Sequence, residues 1–255
     1  MVWHDKVVVV TGGGSGIGQA VCRRFAAEGA KVAVIGRTLS KCENTAAEIA
    51  AAGGTAFAVQ ADVAVEEEVK QAIRSVMDRF GKIDVLVNNA AVCPQIKLTD
   101  MSFSQWNEVI GCNLGSIFLA CREVIPHMLE AAGGAIVNLS SVHALATSEG
   151  YAAYAAAKGG IVSMTRAVAL DYAKNNIRVN AVLPGAVHTP MLESSVKKLD
   201  DDKANIMQIW NDAQPIGRVG KAEEIASVVL FAASPDNSFM TGAVLVADGG
   251  MTIDL

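Results

Sequence analysis

Four consecutive valines, Val7 to Val10, run straight into Thr11-Gly12-Gly13-Gly14-Ser15-Gly16-Ile17-Gly18. A short, wholly apolar run carries no alternation, so it reads as a strand buried on both faces of a parallel sheet. The segment Gln19–Glu28 that follows has helical periodicity and is closed by Gly29. Strand, glycine-rich turn and helix in immediate succession leave few folds open. The turn lets backbone approach a diphosphate, and the helix N-terminus presents free N–H groups and the positive end of its dipole. The glycines do not form G-x-G-x-x-G; the pattern is Gly12-x-x-x-Gly16-x-Gly18. Position, after the first strand of an alternating β/α chain, favours a dinucleotide over an ordinary tight connection.

The alternation continues to the end of the chain. Strands are expected at about 6–11, 31–36, 55–60, 83–88, 134–140, 177–183 and 243–247, with helical patterns between them. Right-handed crossovers then impose an α/β, three-layer, doubly wound architecture around a seven-stranded parallel sheet. The length of 255 residues suits a single domain, 1–255, and neither a linker nor an internal repeat interrupts it. The rhythm breaks only at about 189–220. That insertion contains Met191, Leu192, Met207, Ile209 and Trp210. A segment of that length at the carboxyl end of a sheet is expected to act as a substrate lid.

The second strand ends in Gly36-Arg37-Thr38. An acidic residue that would hold ribose hydroxyls is missing there. Arg37 instead offers a planar cation for a 2′-phosphate, with the Thr38 hydroxyl beside it, which favours NADP(H) over NAD(H). Ser15 tempers this preference, because it puts no basic residue in the loop itself.

Tyr154 and Lys158 stand four residues apart in an alanine-rich helical stretch, 151–173, and so share one helix face. An ammonium beside a phenol favours the phenolate and is expected to lower its pKa from about 10. Such a phenol can exchange a proton with an alcohol near neutral pH. Ser141 follows an apolar run and falls at a strand's carboxyl end. By itself Tyr-x-x-x-Lys is equally what a packed tyrosine and a solvated lysine would give. The nucleotide signature changes that balance.

Together these motifs resemble the short-chain dehydrogenase/reductase family from Val7 to about Gly250. The resemblance rests on Thr11–Gly18, Asp62-Val63, Asn88-Asn89-Ala90-Ala91, Asn113, Ser141, Tyr154-x-x-x-Lys158, and Pro184-Gly185 with Thr189, in that order. It implies a Rossmann fold with strand order 3-2-1-4-5-6-7. Tyr154 would be the general acid/base, and Lys158 would lower its pKa and hold the nicotinamide ribose. Ser141 would orient the substrate carbonyl, and Asn113 would bend its helix and fix a water behind Lys158. In the cofactor cleft, Gly12, Ser15, Gly16, Ile17 and Gly18 would face the diphosphate. Asp62 and Val63 would take the adenine, and Asn89 and Ala90 would line the middle. Pro184, Gly185, Val187 and Thr189 would meet the nicotinamide end. The family's Asn-Asn-Ala-Gly here ends in Ala91, a methyl group nearer the cofactor. The implied assembly is a homotetramer with 103–131, 151–174 and 241–255 buried between subunits.

The expected reaction is NAD(P)-dependent interconversion of a secondary alcohol and a ketone. Substrate-pocket candidates are Ser141, His143, Glu149, Tyr154 and Trp210, with Cys93, Leu145, Tyr151, His188 and Met191 nearby. Polar members suit a sugar, polyol or cyclic alcohol. A 3-oxoacyl group on an acyl carrier protein is the alternative, and would need a basic surface at the entrance; Lys197, Lys198 and Lys203 alternate with Asp200–Asp202. A nucleotide-sensing protein without catalysis is the alternative of another class. The four histidines lack metal-ligand spacing, so no metal is expected. Net charge −5 excludes bulk attraction to nucleic acid or anionic membrane. No membrane span or signal peptide is expected. Five cysteines without a C-x-x-C pair point to reduced thiols and a cytoplasmic location.

Overall fold

The computed structural model describes residues 2–198 and 203–253; the acidic run Asp200–Asp202 and the last two residues lie outside them. Seven parallel strands form one sheet, β1 (Val7–Thr11), β2 (Lys31–Gly36), β3 (Thr55–Gln60), β4 (Val85–Asn88), β5 (Gly134–Leu139), β6 (Ile177–Pro184) and β7 (Val244–Ala247), in the order 3-2-1-4-5-6-7. The order reverses between β1 and β4, which pair through Val8–Val85 and Val10–Val87. A crevice therefore opens at the carboxyl ends of these two strands.

The valine run explains the layering. Successive side chains of a strand point to opposite faces. Val8 and Val10 enter one core with Phe25 of helix α1 (Gly16–Ala27) and Ile225 and Val229 of α9 (Ala222–Ala233). Val7 and Val9 enter the other, with Val69 and Val76 of α3 (Glu66–Phe80) and Ile117 and Val124 of α5 (Ser116–Glu130). Both faces are covered, so none of the four valines is exposed. Helix α2 (Leu39–Ala51) lies after β2, and α6 (Ala152–Tyr172) after β5.

Helix α4 (Phe103–Ile110) runs through one π turn, Gly111–Gly115, into α5, giving a continuous helix over Phe103–Glu130. By length and composition alone this helix could cross a membrane, with mean hydropathy 1.4 over its best window, but half of that window is buried inside the fold, as in the core helix of a globular domain. Its inward residues Ile117, Ala120, Cys121, Val124 and Met128 pack on the sheet. The insertion after β6 folds as two helices, α7 (Pro190–Lys198) and α8 (Lys203–Asp212).

Buried polar groups are concentrated where strands meet helices. Asn88 donates to Asn138 Oδ1 at 2.8 Å, and Asn138 donates to Thr165 Oγ1 at 2.9 Å, tying β4, β5 and α6 together beneath the crevice. The guanidinium of Arg178 donates to the carbonyls of Ala232, Ala233, Ser234 and Met240. It thus caps the carboxyl end of α9, whose last carbonyls have no intrahelical partner.

Candidate active site

The crevice is a cleft of about 310 Å³ running from the β2–α2 turn past the glycine loop to Tyr154 and Lys158. Its floor is made of backbone. Gly12 has φ +66°, a left-handed conformation that other residues adopt only with strain. At Gly18 the limit is space: a Cβ there would collide with the carbonyl oxygen of Gly12 and with Asn89 Nδ2. Thr11 braces the same corner, its hydroxyl accepting from the N–H groups of Asn89 at 3.0 Å and Ala90 at 3.2 Å. Asn89 Nδ2 in turn donates to the carbonyls of Thr11 and Gly12. Ser15 caps α1 without a side-chain hydrogen bond, and the first turn carries no acid. The N-terminal N–H groups and the dipole of α1 are thereby left for an anion. This cradle fits a dinucleotide diphosphate on the geometry of its own backbone.

At the adenosine end the cleft is lined by Gly36, Arg37, Thr38, Lys41, Asp62 and Val63. Arg37 Nη1 stands 3.9 Å from Asp62 Oδ2, and Asp62 Oδ1 accepts from the N–H of Ala64 at 2.9 Å. Lys41 was not singled out from the sequence. Its backbone packs on Gly14, and its ammonium makes no ion pair among the described residues. It is a second cation beside Arg37 on the cleft wall. The only sequence signal for it is its place one helical turn beyond Arg37.

At the other end four elements converge. Ser141 caps a short 3-10 turn, Val142–Ala144, its hydroxyl accepting from the His143 N–H at 3.3 Å. Tyr154 and Lys158 project from the first turns of α6, and the Lys158 ammonium lies 5.4 Å from the centre of the Tyr154 ring. Cys93, on the loop after β4, packs against Tyr154. Ser141 and Cys93 both come within hydrogen-bonding reach of the phenol, Ser141 as donor to it. Asn113 sits at the centre of the π turn, donating to the carbonyls of Val92 at 2.9 Å and Val109 at 2.8 Å. Its Oδ1 is sealed from solvent and has no hydrogen-bond partner among the described residues.

The electrostatics differ from the expectation that Lys158 acidifies the phenol. Burial is the larger effect and pushes the Tyr154 phenol above its ordinary value, with Cys93 adding to the rise and Ser141 opposing it. Burial likewise draws the Lys158 ammonium down to about 8. That ammonium donates to the Leu139 carbonyl at 2.8 Å, and across the ring face its field at the phenol oxygen is too weak to offset desolvation. Burial, helped by the Lys158 charge, also holds His143 below its usual value, hence neutral.

Other sequence candidates are distributed as follows. Ala90, Ala91, Pro184 and Thr189 line the cleft, and Thr189 carbons stand 3.2–3.3 Å from where a Gly16 Cβ would lie. Gly185 and Val187 stand behind this wall: Gly185 donates to the Ala247 carbonyl, and Val187 is buried and bridges to Gly220. Glu149 is not brought to the cleft. It is exposed and lines a shallow groove with Lys97, Leu98 and Thr147, and its carbonyl accepts from Gln95. Trp210 on α8 is half-buried and is not part of the cleft wall; from the insertion, Thr189, Pro190 and Met191 line it. His143 and Tyr151, by contrast, stand against Tyr154, with ring centres at 5.4 and 6.4 Å.

Residues 12–252 match the protein family described as Enoyl-(Acyl carrier protein) reductase. The chain is 39% identical over 249 residues to the short-chain reductase protein NovJ of Streptomyces niveus, covering 98% of this chain and 95% of that protein. It is 39% identical over 247 residues to the 3-oxoacyl-acyl-carrier-protein reductase FabG of Chlamydia pneumoniae, covering 97% of each. Among solved structures, levodione reductase superposes with a TM-score of 0.95 at 35% identity over 99% of both chains.

Proposed function

The chain belongs to the short-chain dehydrogenase/reductase family of NAD(P)(H)-binding oxidoreductases, and from that premise we propose that it interconverts a small or medium ketone and its secondary alcohol, with NADP(H) as preferred cofactor. The observation that carries this reading is the meeting of Tyr154 and Lys158 at the inner end of a cleft whose outer end is a backbone cradle for a diphosphate, with Ser141 beside the phenol.

When bound, the nicotinamide supplies or accepts the hydride. The protein's residues do the rest. Ser141 and Tyr154 hold the substrate oxygen as two hydrogen-bond donors. In reduction Tyr154 passes its proton to the oxygen as negative charge develops; in oxidation it takes the proton back. Lys158 holds the ribose side of the cofactor and steadies the negative charge on the phenol as the proton leaves. The unpartnered Asn113 Oδ1 is the acceptor that a water behind Lys158 requires. Helices α7 and α8 close over the substrate as a lid. Arg37, Thr38 and Lys41, with no carboxylate at the end of β2, support the choice of a phosphorylated ribose.

A sugar, polyol or cyclic ketone is the substrate class favoured, and similarity to levodione reductase supports the cyclic case. The second reading, a 3-oxoacyl group on a carrier protein, is favoured by similarity to the FabG protein. At the lid-proximal surface, however, the Arg218 guanidinium is already engaged by both oxygens of Glu224, which leaves less free positive charge for an acidic carrier. A panel of sugars, polyols, cyclic ketones and 3-oxoacyl thioesters with both cofactors tests the two. Turnover confined to carrier-linked thioesters would reverse the order.

Self-association completes the proposal. Phe103, Phe118 and Leu170 are exposed on the α4–α5 and α6 side, and Phe239, Val246 and Ile253 near β7. Such faces support a homotetramer; a monomer in sedimentation analysis would refute it. Five unpaired thiols support a reducing, cytoplasmic setting.

A further inference from the structure

The polar groups around Tyr154 exceed what one carbonyl needs. Ser141 and Tyr154 suffice for the reacting oxygen. A second pair stands beside them. His143 lies two residues beyond Ser141 in the 3-10 turn, and Tyr151 is the N-cap of α6, three residues before Tyr154. The imidazole sits 4.8 Å from the Tyr151 ring and 5.4 Å from the Tyr154 ring, centre to centre. It therefore touches both phenols and links the two stations.

Each member of the second pair has an unused hydrogen-bonding atom. His143 Nδ1 pairs with Thr147 Oγ1 at 2.8 Å. That contact orients the ring and leaves Nε2 with no partner among the described residues. The imidazole is kept neutral, so it can donate or accept without bringing a charge. Tyr151 is only 9% exposed, and its hydroxyl likewise has no hydrogen bond among the described residues. That oxygen is not sealed in the way Asn113 Oδ1 is, so it reaches open space. A nearly buried phenol held against the catalytic tyrosine without a partner is destabilising unless something else satisfies it.

The other side chains packed around the two tyrosines are apolar. Val92, Cys93 and Val109 pack with the two tyrosines, together with Met101 and Trp106. A substrate here meets one polar edge, running Ser141–Tyr154–His143–Tyr151, and an apolar wall. The imidazole touches both phenol rings, so the two stations are immediate neighbours, which favours substrate oxygens carried close together.

We propose that His143 and Tyr151 bind a second substrate oxygen, carried on the carbon next to the reacting carbonyl, so that the substrate class is a compact vicinal hydroxyketone or diketone. This rests on the reading of the chain as a ketone/alcohol oxidoreductase and narrows it. A 3-oxoacyl thioester, with its second oxygen one carbon further away, is the poorer fit.

The test compares matched ketones: butanone with acetoin and diacetyl, and cyclohexanone with its vicinal hydroxyketone, under NADPH. The expected result is a kcat/KM at least about tenfold higher for the vicinal members, a hydrogen bond's worth of discrimination. Tyr151→Phe and His143→Leu should each pull that ratio towards one, mainly by raising KM for acetoin. His143→Gln, which keeps a neutral donor, should retain most of it. Nucleotide affinity, measured in parallel, reports that the variants are folded. Wild-type turnover with a ratio near one overturns this inference alone. So does a preference that survives both variants, or one that favours 4-hydroxy-2-butanone, a β-hydroxyketone added to the same panel, over acetoin. If bound nucleotide is accompanied by no turnover of any ketone or alcohol, the underlying oxidoreductase reading has failed as well.

Discussion

The two ends of the cleft are made of different material. The nucleotide end is backbone: Gly12, Gly16 and Gly18, the free N-terminus of α1, and the Thr11–Asn89 brace, all within two strands and their first turns. The substrate end is side chains: Cys93 from a loop, Asn113 from a π turn, Ser141 from a 3-10 turn, and Tyr154 and Lys158 from α6. A ligand with a constant diphosphate can be met by peptide N–H groups whose position hardly depends on neighbouring residue types. A reacting carbonyl needs groups with particular pKa values, and only side chains provide them. Damage at the first end should therefore weaken binding, and damage at the second should stop chemistry while binding survives.

The largest expected effect breaks the substrate end alone. Tyr154→Phe should lower kcat about 10³-fold or more while nucleotide affinity is retained, as loss of a general acid/base does. Stopped-flow hydride transfer and fluorescence titration separate the two; undiminished turnover would remove Tyr154 from its role. Next in size is Gly18→Ala, whose Cβ meets Gly12 and Asn89. Nucleotide affinity should fall about 100-fold, and near-normal affinity would show that the cradle is not where the diphosphate lies.

Lys158→Met probes the cost of building the substrate end. The folded ammonium sits at about 8 against 10.5 in the free side chain, so the folded state binds fewer protons across that interval. Stability of the nucleotide-free protein should then rise as pH climbs from about 8 towards 10.5. At pH 7 the methionine variant should be inactive yet roughly 2 kcal/mol more stable to urea, since it escapes burying a charge. A less stable variant would mean that the bond to Leu139 outweighs desolvation.

The smallest effects sharpen the nucleotide end. Arg37→Ala and Lys41→Ala should each weaken NADPH about tenfold and leave NADH nearly unchanged. Equal losses for both cofactors would show that these cations do not read a 2′-phosphate.

Strand positions were most legible at β1, β2 and β4, apolar runs that stop at or just before glycine or asparagine. β2 and β3 have the expected limits, and β5 and β6 differ by one residue. Helix α4–α5 was harder to judge. Glu108, Arg122 and Glu123 interrupt its apolar runs in sequence, whereas on the helix they fall to the side away from the sheet. Within the site, Glu149 looked like a pocket residue because it lies in the Ser141–Tyr154 interval, but Gly150, with φ +82°, turns that segment towards Gln95 and Ile96. Lys41 escaped notice because a lysine on the first turn of a helix has nothing to distinguish it from a solvated one. Cys93 was visible as a neighbour of the Asn88–Ala91 motif, but its contact with the phenol depends on the loop's path.

By itself the amino-acid sequence determined the alternation of elements, the doubly wound parallel sheet, the glycine cradle and the presence of a Tyr/Lys/Ser set, because each depends on spacing along a strand, a turn or one helix face. Tertiary structure alone decided which groups share the chamber with Tyr154 and how strongly water is excluded from it. Desolvation comes from everything packed around a group, including residues distant in sequence, so the upward pull on the phenol and the downward pull on Lys158 could not be read from their four-residue separation.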